Sequence, residues 1–152
     1  MTSSTLDFNV TTQVSIPEQR IRDLLTCGFE GGTGYWALIW GYEFAPGLKY
    51  SDFQEGGKMQ MPANYHHPVE LIPFVPGCAV LLVDTNEVDR NSNTLPEGMT
   101  PRKLDRAALC NGLQIMAKDH LQHWTNFMEE GEDAETGDVF IQLCLFGEIV
   151  FA

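Results

Sequence analysis

The chain has 152 residues, 43% hydrophobic and 20% charged, enough apolar material for one folded domain with its own core; wholesale disorder is excluded. Nine basic against 21 acidic residues leave a formal net charge of -12 and a sequence pI near 4.5. A surface of that sign repels nucleic acid and anionic membranes, so direct binding to either is not expected, while basic partners and mimicry of DNA stay open.

The amino terminus, MTSSTLDFNV, shows no basic stretch and no hydrophobic signal core, and residues 1–8 are expected to be flexible. Val10 to Ile16 alternates apolar and polar residues and predicts a strand. Ser15-Ile16-Pro17-Glu18 then reads as a capping box opening a helix that buries Ile21, Leu24, Leu25 and Cys27 and stops at Gly28. Tyr35 to Phe44 predicts a second strand, and Ala45 to Tyr65 an irregular loop. Val69–Val75 and Cys78–Asp84 flank Pro76-Gly77 and predict a hairpin. After a polar loop from Asp89 to Gly98, Thr100-Pro101 is expected to open a helix burying Leu104, Ala108, Leu109, Gly112, Leu113 and Met116. Leu121, Trp124, Phe127 and Met128 continue as a second, short helix after a break near Asp119. Asp133 to Thr136 starts a last helix through Val139 to Phe151, apolar enough to be central to the core. The fold class is α+β: a single domain with a small, mostly antiparallel sheet in its amino-terminal two-thirds, packed against three to four helices.

Cys27 to Tyr42, CGFEGGTGYWALIWGY, packs five glycines and five large aromatics into sixteen positions. A phosphate loop needs a strand feeding a glycine turn at a helix amino terminus, but here a helix ends and a strand begins. No Gly-Lys-Ser/Thr tail follows, so that reading fails. The glycines from Phe29 to Gly34 then serve positive φ or a close backbone approach. Trp36 and Trp40, four apart on a strand, are expected to share one face and one role, core or pocket. The expected ligand contacts are Glu30, Gly31, Gly32, Thr33, Gly34 and Tyr35, with Tyr35 on the opposite face.

His66, His67, His120 and His123 fit no metal-ligand motif, and no cofactor or metal is expected; His120 and His123 read as surface residues beside Trp124. Cys27, Cys78, Cys110 and Cys144 are dispersed, and Cys27, Cys110 and Cys144 stand in apolar helical context, which predicts reduced thiols in an intracellular setting. Six carboxylates (Glu129, Glu130, Glu132, Asp133, Glu135 and Asp138) read as a solvated connection that also favours the next helix's amino terminus. Their spacing is not that of a calcium loop. Arg90, Arg102, Lys103 and Arg106 cluster in sequence, as do Arg20 and Arg22; in so acidic a chain they either pair with acids or form an anion site. Arg102, Lys103 and Arg106 complete the expected ligand-binding set.

Three segments carry a resemblance. IRDLLTCGFEGGTGYW (21–36), HHPVELIPFVPGCAVLLVD (66–84) and DAETGDVFIQLCLFGEIVFA (133–152) resemble a family of small uncharacterised proteins of tailed bacteriophages and prophages. The resemblance implies the cytoplasm of an infected bacterial host and, by association with small phage accessory proteins, a binding partner in an antiviral system. Two modes of non-enzymatic binding follow, with homo-oligomerisation open in either. One is a sponge for a nucleotide-derived immune signal, its base stacked on the aromatics and its phosphate met by arginines. The other is an acidic plug over a basic groove of a defence protein. A small nucleotide-modifying enzyme using His66 or His67 is the alternative from another class.

Overall fold

The computed structural model describes residues 7–61, 67–89 and 91–152. Helix α1 (Glu18–Gly31) leads through a 3-10 turn, Thr33–Tyr35, into strand β1 (Ala37–Glu43). Short 3-10 turns at Tyr50–Phe53, Pro68–Glu70 and Ile72–Phe74 precede β2 (Ala79–Asp84). β3 (Arg102–Leu104), α2 (Arg106–Asp119), α3 (Leu121–Met128) and α4 (Ala134–Phe146) complete the chain. The sheet is antiparallel in the order β1-β2-β3, which is the α+β architecture expected.

The core is built around α4. Every residue from Thr136 to Cys144 is buried, as a helix with apolar residues all round must be. Asp133 caps it, accepting from the Thr136 N–H at 2.9 Å, and Gly147 ends it at φ 74°. Both neighbouring helices approach α4 through glycine. A Cβ on Gly28 would sit 2.8 Å from the Gly137 carbonyl oxygen, and one on Gly112 would collide with the Cys144 sulfur. Gly28 is therefore a crossing point in the last turn of α1, not its end, and α1 continues three residues further. Gly28, Gly31 and Gly32 serve close approach, and none of the glycines of residues 28–34 has positive φ.

Other expectations are corrected. Residues 10–16 form no strand, and Ser15 makes no capping bond; the α1 cap position is Pro17. The hairpin before β2 does not form: Pro68 and Pro73 lack the N–H a ladder requires, and that segment folds as two 3-10 turns. β2 pairs with β1 instead, Ala37 opposite Asp84 and Glu43 opposite Ala79. Thr100-Pro101 opens no helix; Arg102–Leu104 is an edge strand, and α2 begins after Asp105, which accepts from the Ala108 N–H at 2.9 Å. The last helix stops at Phe146, and residues 147–152 return across the core. Trp36 and Trp40 part company: the register shifts between Ile39 and Gly41, leaving Trp40 at a bulge and half-buried, while Trp36 precedes the strand and is 1% exposed.

Candidate functional site

Two polar residues inside α4 organise the region around Trp36. Asp138 and Gln142 are four apart and so share a helix face. The Trp36 indole N–H donates to Asp138 Oδ1 at 2.7 Å, while the Tyr35 hydroxyl and Gln142 Nε2 donate to Oδ2 at 2.9 and 3.0 Å. Gln142 Oε1 accepts from the backbone N–H groups of Val150 and Phe151, both at 2.8 Å, and Nε2 also reaches the Phe151 carbonyl at 3.1 Å. The buried amide thus has partners for both of its polar atoms, as a group removed from water requires. Burial, and then the Asp138 carboxylate beside it, pushes the Tyr35 phenol up.

This network fixes the Phe151 ring parallel to Trp36, centroids 4.8 Å apart and planes 8° apart. Phe146 closes the cluster at 5.4 Å from Trp36, and the Arg102 guanidinium lies over its ring at 4.5 Å. These groups wall a cleft of about 470 Å³, whose rim carries Asp84, Glu87 and Glu148. Arg102 makes no ion pair among the described residues. The cleft therefore offers a flat cationic surface over an aromatic wall, ringed by hydrogen-bond acceptors.

The residues expected to bind ligand do not converge on one surface. Arg102 lines the cleft, but Lys103, next along the strand, faces the other way and pairs with Glu43 at 2.8 Å. Arg106 donates to the Phe74 carbonyl at 3.1 Å and lies 3.8 Å from Glu18. Glu30 pairs with His67 at 3.4 Å on the surface. Gly31 and Gly32 abut Ala134 of α4, the Thr33 hydroxyl donates to the Gly28 carbonyl at 2.8 Å, and Gly34 has open space beside it. Tyr35 is 53% exposed and contributes through Asp138. The residues that sequence reasoning missed are Phe146, Phe151, Asp138 and Gln142. A polar pair four apart inside an apolar helix was the signal for the last two.

Of the remaining candidates, His66 and Arg90 lie outside the described residues. His123 is half-buried, with Nδ1 3.1 Å from the Thr136 hydroxyl, and is not a free surface residue. Among the described residues no group of three or more His, Cys, Asp or Glu could hold a metal ion, and no helix is long and apolar enough to cross a membrane. Cys110 is exposed, contrary to the apolar setting expected of it. Burial raises the Cys144 thiol, and burial followed by Glu132 raises that of Cys27, so neither is poised as a thiolate. The acidic segment is only partly a solvated connection: Glu132 lies 3.4 Å from Arg20, Asp133 is a cap and Asp138 is buried. The chain matches no protein-family model, no curated protein and no solved structure.

Proposed function

We propose that the protein binds a nucleotide-derived small molecule in the Trp36 cleft and, in an infected bacterium, sequesters an antiviral signal of that kind. The observation that carries this reading is the Arg102–Phe146 stack at the mouth of a cleft of about 470 Å³. A nucleobase stacks on such a surface for about 1–3 kcal/mol, and carboxylates such as Asp84, Glu87 and Glu148 accept from sugar hydroxyls. Three acids around one guanidinium disfavour a chain of phosphates, so the ligand carries little charge beyond what Arg102 neutralises. The phage setting is supported by the resemblance of residues 21–36, 66–84 and 133–152.

Native mass spectrometry of the protein recovered from infected cells tests this. A bound nucleotide-sized molecule, lost in Arg102→Ala with the fold intact, is the expected result. Recovery with no small molecule, together with nucleoside and nucleotide titrations that Arg102→Ala leaves unchanged, would refute it. A second reading rests on the net charge and on the exposed Glu129, Glu130 and Glu135 around the α3–α4 connection: an acidic surface docked on a basic protein. In that case the recovered species is a protein complex that dissociates with added salt.

A further inference from the structure

We infer that two copies of the protein pair by exchanging residues 8–14, each arm adding a strand to the open edge of the other's β1. In FNVTTQVSI (8–16), Phe8, Val10, Val14 and Ile16 fall on one face of an extended chain, with Asn9, Thr11, Gln13 and Ser15 on the other. That is the pattern of a half-buried strand, yet within one copy it belongs to no sheet. No hydrogen bond joins residues 7–16 to any described residue. Phe8 is 97% exposed and Val10 81%.

The acceptor is β1. Among the described residues it pairs with β2 alone, so its outer row of N–H and C=O groups has no strand partner. Leu38 and Ile39 are partly exposed along it, with Tyr35 beside them. Edge strands are ordinarily guarded by lysine, proline, inward charge or a bulge. Residues 31–42 hold no charge and no proline, and the bulge at Trp40 leaves Ala37–Ile39 regular.

Charge selects the occupant. Two chains of net charge -12 repel one another, so association must run through segments without charge. Residues 8–17 and 31–42 both qualify. Thr12–Ile16 run beside Leu113 of α2 and Trp124 of α3, not along β1, and ten extended residues reach about 33 Å. Reciprocal exchange satisfies the arm and the edge of both copies and closes a two-fold dimer. Direct β1–β1 pairing would leave both arms without a sheet.

The test is sedimentation velocity on the full chain over a concentration series, with amide hydrogen exchange on the same samples. The expected result is a reversible dimer with protection at residues 8–14 and 37–39. Phe8→Ser/Val10→Ser should give a monomer with both sets of amides unprotected, and Leu38→Lys should do the same from the acceptor side. All of these side chains are exposed or partly exposed in the single copy, so both variants should fold, and unchanged circular dichroism verifies it. A wild-type protein that stays monomeric at high micromolar concentration overturns the inference. So does a dimer that survives Phe8→Ser/Val10→Ser, which would assign the contact elsewhere.

Discussion

The chain has two irregular ends, each with four apolar side chains, and the two meet opposite fates. Residues 7–16 make no hydrogen bond to the rest of the described chain, and Phe8, Val10 and Val14 stand in solvent. Residues 147–152 are equally without secondary structure, but Gln142 holds two of their amides and a carbonyl, and Phe151 stacks on Trp36. Apolar side chains alone do not settle an irregular segment. What settles it is a buried polar side chain that meets the segment's backbone groups, because unpaired amides otherwise keep it in water.

Trp36→Ala should be the most damaging change, since it removes both the stacking surface for Phe151 and the indole donor to Asp138. A loss of about 3–5 kcal/mol by denaturant titration is expected. Trp40→Ala, at the bulge, should cost only about 1 kcal/mol. Equal losses would restore the equivalence that their spacing suggests. Gln142→Ala should cost about 1–3 kcal/mol by orphaning buried partners. It should also convert the carboxyl end into a likeness of the amino end. Amide exchange at Val150 and Phe151 rising to the rate of residues 8–14 would show this, and retained protection would mean that the aromatic stack suffices.

Glu70 sharpens the point from the other side. It is buried, its Oε1 lacks a partner, and burial raises its carboxyl above the ordinary 4.5. The folded state therefore holds this proton more tightly than the unfolded chain does. Its stabilising effect is complete below about pH 4.5 and is lost as pH rises through the elevated folded value. Glu70→Gln should gain melting temperature relative to wild type progressively as pH rises toward neutrality. A difference independent of pH would mean that the carboxyl is solvated. The smallest effect belongs to the arm: Phe8→Ser/Val10→Ser should change single-copy stability by less than about 0.5 kcal/mol.

What the sequence displayed depended on how local the governing force was. The central helix was legible because the nearly all-apolar run of residues 139–146 and the Asp133 cap are local properties. Gly28 misled because a glycine at a helix crossing and a glycine at a helix end look alike until the partner, Gly137, is known. Thr100-Pro101 imitated a helix start, and three-residue β3 is too short to show alternation, although Asp105 was a cap in plain view. The strand pattern of residues 10–16 is genuine chemistry that finds no ladder in a single copy. Of the candidate site, only Arg102 and the general neighbourhood of Trp36 were visible. Phe146 and Phe151 reach it from more than a hundred residues away, and no spacing rule spans that distance.

The separation of the tryptophans has an optical consequence. Trp36 is dry, hydrogen-bonded to a carboxylate and stacked on Phe151 at the cleft wall, whereas Trp40 and Trp124 are half-exposed. With Trp40 and Trp124 replaced by phenylalanine, a single tryptophan remains at the place where a ligand would enter. Its emission maximum should lie to the blue in the empty protein, and a stacked base within the cleft should quench it. Occupancy could then be read from the protein's own light, without labelling the ligand.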